Sequence, residues 1–225
     1  MTRLGAEHSA ALVATALACG LLAWIGRRLR GTPAALTFGR GLAILLLVAQ
    51  FADPFISAHY GWLEARNGLP LELCDVSGFA IMFALWTHRQ AAFELAYFWG
   101  LAGALMAILM PDLPADIPTL EFLRFFTMHI GIVAAIFYLG PGLGMRPRPN
   151  AEWKVFGWTL LCALVVGAIN QQLGANYMYL CQSPPGTPLE WFGPWPWYLF
   201  GAAGLALGMY LLLALPYRLS RKAES

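Results

Sequence analysis

From Ser9 to Gly26 the chain carries no charged side chain, and comparable apolar runs recur along its length. That recurrence constrains the fold more than any other feature. A helix crossing the ~30 Å hydrocarbon core of a bilayer needs about 20 mostly apolar residues, because each residue rises only about 1.5 Å. Seven stretches meet the requirement: 9–26, 38–60, 69–87, 91–110, 120–140, 152–173 and 195–217. They are too long, and alternate too little, to be strands of a transmembrane barrel. Only 12% of the 225 residues are charged and 59% are hydrophobic. A soluble domain carries about twice that share of charge. Composition therefore excludes a soluble globular domain, a disordered chain and a collagen-like chain. The expected fold is all-α, a polytopic membrane protein with seven transmembrane helices in one bundle, as a single domain over 1–225.

Lysine and arginine set the expected orientation, because they accumulate in cytoplasmic connections. One set of connections holds Arg27, Arg28, Arg30, Arg40, Arg89, Arg146, Arg148, Lys154, Arg218, Arg221 and Lys222, which is 11 of the 14 basic residues. The other holds Arg3, Arg66 and Arg124. An odd number of spans reconciles the two sets, with the N-terminus outside and the C-terminus inside. The basic cluster follows the first apolar run and does not precede it, which argues against a cleaved secretory signal. No basic run has the size or aromatic interleaving that nucleic acid needs. The four cysteines, Cys19, Cys74, Cys162 and Cys181, show no CxxC pair and no zinc spacing, so neither a disulfide framework nor a metal site is expected.

Two outer connections differ in character. Residues 111–119 are acidic and proline-rich and read as a short rigid turn. Residues 174–195 are rich in Tyr, Trp and Pro, as befits an aromatic belt at headgroup level or a rim over a site. Gly204 and Gly208 form a GxxxG step suited to close helix packing.

Polar side chains inside a membrane are costly and so mark function. They are Gln50, Asp53 and His59 in the second span and Glu72, Cys74 and Asp75 in the third. The fourth contributes Glu94, the fifth Arg124 and His129, and the sixth Asn170, Gln171 and Gln172, with Asn176 just beyond. Cys74 falls about 7 Å and His129 about 13 Å in from the outer ends of their spans at ~1.5 Å per residue. Apart from Glu94, the set gathers in the outer half of the membrane. Each member has a structural alternative. Asp53 before Pro54 could satisfy backbone groups freed at a kink, Glu72 and Asp75 could be first-turn acids, and His129 could be an interhelical hydrogen-bond partner. A lone buried cysteine is ordinarily a small hydrophobe.

Together the residue types fit nucleophilic chemistry. A thiol attacks as its thiolate and needs a neighbouring base, most often histidine. A neutral amide can steady the oxyanion. Cys74, His129 and either Asn170 or Asn176, with Gln171 beside them, supply those types, and Asp53, Asp75 and Gln50 would line the site. A phospholipid ester lies ~15 Å from the bilayer centre, near the expected level of Cys74.

The segments LPLELCDVSGF (69–79), FFTMHIG (125–131) and NYMYL followed by the stretch to GPWPWY (176–198) resemble the YwaF family of bacterial membrane proteins and its animal relatives, transmembrane protein 164. The resemblance runs from about residue 40 to 215. It implies seven membrane helices and, from the animal branch, a cysteine-dependent acyltransferase that moves fatty acyl chains between phospholipids without acyl-CoA. Cys74 matches that branch's nucleophile and His129 its histidine. The implied partners are a membrane phospholipid, a lysophospholipid acceptor and the bilayer, with no nucleic acid, cofactor or metal. The implied location is a bacterial cytoplasmic membrane. The rival readings are a small-solute or ion transporter, and a receptor or lipid-binding membrane protein without catalysis. A pathway needs polar groups through the midplane, where this chain offers only Glu94.

Overall fold

The computed structural model describes residues 5–59, 61, 63–66, 68–111, 119–184 and 186–224; side chains at 53, 56, 57, 120, 121, 188 and 221–224 lie outside the description. Regular structure among the described residues is helical throughout. The helices are α1 (Ala6–Leu29), α2 (Pro33–His59), α3 (Leu73–Thr87), α4 (Gln90–Trp99), α5 (Leu105–Leu109), α6 (Leu120–Phe137), α7 (Ala151–Leu173) and α8 (Trp197–Glu224). A π-turn at Gly100–Ala104 joins α4 to α5 as one rod, and a second at Tyr138–Gly142 extends α6.

Local chemistry accounts for several boundaries. Arg27 and Arg28 occupy the last turn of α1, where cations oppose the negative end of the helix dipole. Pro33 opens α2, at a position where its missing N–H has no helical partner to lose. The Thr119 hydroxyl caps α6 by accepting the Phe122 N–H at 3.3 Å. Gly174, at φ 61°, closes α7 in the left-handed conformation that suits glycine.

Among the described residues, six helical rods are long and apolar enough to cross a membrane, namely Ala6–Leu29, Pro33–Ala52, Gln90–Leu109, Phe122–Gly142, Ala151–Leu173 and Trp197–Ser220. The chain is therefore an integral membrane protein by length and composition. The expected third span, 69–87, is corrected. Its helix is Leu73–Thr87, only 15 residues, about 22 Å at 1.5 Å per residue and short of a ~30 Å core. Pro70 biases Leu69 to extended backbone, and Leu71 N–H bonds the Leu69 carbonyl at 2.8 Å, so residues 69–72 precede the helix. The acidic connection expected at 111–119 falls, except for its two ends, outside the described residues.

The chain divides into two compact units. The first comprises Met1–Asp53 and Cys74–Pro147. Its most enclosed rods are α4–α5 and α6, whose facing side chains Phe93, Phe98, Ile108, Ile132 and Leu139 have no exposed surface. Helix α1 crosses the π-turn of α6 at glycines. A Cβ on Gly26 would stand 2.7 Å from the Gly142 Cα, so only bare backbone allows the approach. Tyr138, fully buried, donates its hydroxyl proton to the Ala35 carbonyl of α2 at 2.6 Å.

The second unit comprises Pro54–Leu73 and Arg148–Ser225. Within it Thr159 of α7 and Tyr210 of α8 share a hydroxyl hydrogen bond of 3.0 Å. Glu152, buried at the start of α7, is paired with Arg218 of α8. Elsewhere these helices expose large apolar side chains such as Trp158, Leu164, Phe200 and Leu212. An apolar surface of that extent suits hydrocarbon rather than water.

Candidate functional site

Cys74 and His129 both belong to the first unit. Cys74 is the second residue of α3 and is half-buried. It lies in the first helical turn, not about 7 Å along a span that begins at Leu69. The first turn leaves N–H groups without intrahelical carbonyls and carries the positive end of the helix dipole, a setting that favours negative charge. Ser77, fully buried, donates its hydroxyl to the Cys74 carbonyl at 2.8 Å, fixing that turn from within.

His129 sits in the middle of α6 and is 8% exposed. Its Nδ1 lies 2.7 Å from the Phe125 carbonyl oxygen, four residues earlier. A carbonyl only accepts, so Nδ1 carries the proton and Nε2 the lone pair. The Phe125 ring stacks against the imidazole at 4.1 Å between centroids, holding its plane. Residue types alone do not reveal this orienting carbonyl. Every helical histidine has a carbonyl four residues back, so no sequence signal singles it out.

Helices α3 and α6 meet one turn beyond Cys74. A Cβ placed on Gly78 would stand 2.9 Å from the Met128 terminal methyl and 2.9 Å from Gln50 Oε1 of α2. Met128 is the neighbour of His129 in the chain. Gln50, 7% exposed, donates from Nε2 to Asp75 Oδ1 at 2.8 Å. The structure thus brings Gln50, Asp75, Gly78 and Met128 together between three helices. Asp53 is within α2, with its side chain outside the description.

The amides from the sixth span lie in the second unit, where they organise a loop. Asn170, 1% exposed, accepts the Tyr177 N–H at 2.9 Å and donates to the Tyr177 carbonyl at 2.9 Å. Asn176 accepts from the N–H groups of Cys181 and Gln182 and donates to the Gln182 carbonyl. Gln171 is exposed. The loop is tied to residues 65–72 of the same unit. Tyr177 donates its hydroxyl to the Ala65 carbonyl and accepts the Leu69 N–H, while Glu72 accepts the Met178 N–H at 2.9 Å. Val166, Ala175 and Tyr177 form the apolar core beneath it, with Leu71, Cys162 and Leu180 packed around them. Two further bonds anchor the aromatic segment, Trp195 Nε1 to the Leu180 carbonyl and Tyr198 hydroxyl to the Tyr179 carbonyl.

Among the described residues no group of three or more His, Cys, Asp or Glu side chains could hold a metal ion. The four cysteines are free thiols. Of the curated proteins and the solved structures, none matches the chain. The TMEM164 family matches it over residues 3–214, nearly its whole length, and the chain therefore belongs to the TMEM164 family.

Proposed function

We propose that the chain is an intramembrane acyltransferase or transacylase that moves a fatty acyl chain between glycerophospholipids through a thioester on Cys74. The observation that carries the proposal is the state of His129. Its Nδ1–H is held by the Phe125 carbonyl, which leaves Nε2 as a base on the helix that packs against α3 one turn from Cys74. Family membership and the apolar helices support a membrane lipid as substrate.

The steps balance without any redox partner. His129 Nε2 takes the Cys74 thiol proton, and the sulfur attacks the acyl carbonyl carbon of a phospholipid. The tetrahedral intermediate collapses by breaking the ester C–O bond, and the lysophospholipid oxygen leaves with the proton from the imidazolium. A lysophospholipid hydroxyl then gives its proton to His129, and its oxygen attacks the thioester carbonyl. The C–S bond breaks, and the thiolate regains the proton. With water as second acceptor the same steps are hydrolysis. In this reading Cys74 and His129 are catalytic and Asp75 and Gln50 line the site. The oxyanion would be met by N–H groups of the first turn of α3, beside Cys74. In this reading the membrane is a bacterial cytoplasmic membrane, and the bias of Lys and Arg between connections favours an N-terminus outside and a C-terminus inside.

The test is purified protein in vesicles with a labelled phospholipid and a lysophospholipid. Cys74→Ala is expected to abolish transfer, and wild type trapped with acid should carry a hydroxylamine-labile acyl group. Unchanged turnover in Cys74→Ala would overturn the nucleophile assignment.

A further inference from the structure

Cys74 is followed directly by Asp75, and a carboxylate beside a sulfur nucleophile opposes the negative charge that sulfur must acquire. The structure contains a device that bears on this conflict. Consecutive residues of a helix project about 100° apart, so Asp75 need not face the sulfur of Cys74. What decides the matter is where its carboxylate is held. Gln50 reaches from α2 and donates its amide N–H to Asp75 Oδ1 at 2.8 Å.

The rest of the Gln50 side chain is unusual for a buried amide. It is 7% exposed, and its Oε1 is buried without a hydrogen-bond partner. A buried unsatisfied acceptor costs stability. The amide is therefore oriented at a cost, with its donor end directed to the carboxylate. Its Oε1 rests against Gly78, one turn along α3, where an added Cβ would stand 2.9 Å away. Glycine at 78 thus lets α2 come near enough for the amide to reach Asp75. Besides Cys74 and Asp75, the described titratable side chains on these three helices are Arg40 and His59 on α2 and Arg124 and His129 on α6.

We propose that Gln50 is a positioning residue that ties the Asp75 carboxylate to α2 and keeps its negative charge off the Cys74 sulfur. For its functional meaning this deepens the acyl-transfer reading and rests on it. Its test does not, because thiol alkylation needs no lipid substrate.

The experiment uses the full-length protein in detergent, with Cys19→Ala, Cys162→Ala and Cys181→Ser leaving Cys74 as the sole thiol. Iodoacetamide modification of Cys74 is followed by mass spectrometry from pH 5.5 to 10. Removing the donor with Gln50→Leu is expected to move the midpoint of the rate profile upward by about one pH unit, so that alkylation near pH 7 slows about tenfold. In an Asp75→Asn background the same Gln50→Leu change should move it no further, because there is no carboxylate left to release. No shift in Gln50→Leu, or a shift that persists with Asp75→Asn, overturns the proposal. If Gln50→Leu does not fold, Asp75→Asn alone decides. With the carboxylate already held away, removing it should move the profile little, whereas a large downward shift would show that Asp75 acts on the sulfur despite Gln50. Absence of acyl transfer in the intact protein, with this pattern of alkylation preserved, would count against the acyltransferase reading alone.

Discussion

The crossing of α1 over the π-turn of α6 makes a sharp prediction at Gly26. An alanine Cβ there would stand 2.7 Å from the Gly142 Cα and 2.8 Å from the Tyr138 carbonyl oxygen. Unstrained carbon contacts lie near 3.5–4.0 Å, so α1 must retreat by roughly 1 Å. Both opposing atoms are backbone, and no side chain can rotate away. Such overpacking costs about 1–3 kcal/mol. The retreat also stretches the bonds by which Arg30 holds the Gly142 carbonyl, 3.1 Å from Nε and 2.7 Å from Nη2. Hydrogen bonds from charged donors contribute about 1.5–3 kcal/mol each when well formed. Alanine returns at most about 1 kcal/mol in helix propensity. The net loss is about 2–4 kcal/mol, or roughly 5–15 °C in melting temperature for a chain of this size. Gly20 lies on the same helix, and beyond its own stretch of backbone nothing stands within 4 Å of its would-be Cβ, so Gly20→Ala should melt at or above wild type. The assay is thermal unfolding of both variants in one detergent, followed by near-ultraviolet circular dichroism and light scattering. If Gly26→Ala melts with Gly20→Ala, the close crossing of bare backbones is not what holds α1 in place.

Three further outcomes follow from the geometry. Asn170→Ala leaves the buried Tyr177 N–H unpaired and its carbonyl with the Leu180 N–H alone, a loss of about 1–3 kcal/mol that should appear as a lower melting temperature; a fall in turnover at unchanged stability would instead make Asn170 a donor to substrate. Arg218→Ala strands the Glu152 carboxylate, which is 1% exposed, and should cost about 3 kcal/mol; the added change Glu152→Gln is expected to recover most of it, and no recovery would deny the pair its role. His88 lies beyond the end of α3 with its Nε2 buried and unpartnered, and burial, then the charge of Arg40, hold its imidazole below the usual 6.5. Above pH 6.5 the folded and unfolded chains are both neutral at this site. As pH falls below 6.5 the unfolded chain takes up a proton that the folded one refuses until its lower value is reached, so stability declines across that window. His88→Asn tolerates the positive φ of 52° and should flatten that acid limb in melting curves between pH 7 and 5; an unaltered limb would assign it to another group.

The membrane rods were legible because desolvation acts on long runs. Twenty apolar residues state their length in the sequence, and six of the seven expected spans fall on observed rods, the second displaced from 38–60 to Pro33–Ala52. The third was misjudged because hydropathy does not register the start of a helix. Leu69 and Leu71 are apolar, yet Pro70 and the bonds from Leu69 and Glu72 to Tyr177 and Met178 hold them in irregular backbone. The π-turns at Gly100 and Tyr138 left no periodic trace for a similar reason. One extra residue in a turn shifts a pattern by less than the scatter of an all-apolar helix. Within the site, the residue types were legible and their partners were not. Gln50 and Asp75 are 25 residues apart in the chain, and nothing local joins them. Asn170 and Asn176 read as candidate donors because a polar side chain near a membrane surface can serve a substrate or a backbone equally well. Here each holds backbone groups of residues 177–182.

The shortness of α3 and the position of Cys74 are one fact seen twice. A helix beginning at Leu69 would place the sulfur well inside regular structure, with every nearby N–H already bonded to a carbonyl four residues back. Beginning at Leu73, it places the sulfur in the turn where helical carbonyls have not yet started to accept. That is where an oxyanion formed by attack of the same sulfur would also find donors. The irregular segment before it, with Pro70 and with Glu72 bonded to the Met178 N–H, therefore fixes where α3 begins relative to Cys74. Moving the helix start should then alter sulfur reactivity without touching Cys74. Replacing Pro70 with alanine removes the bias on Leu69, and Glu72→Ala removes the acceptor for the Met178 N–H. Together these changes favour extension of α3 toward Leu69 and should slow alkylation of Cys74 at fixed pH. Equal reactivity in a variant whose circular dichroism shows added helix would show that the reactivity of the Cys74 sulfur does not depend on the helix terminus.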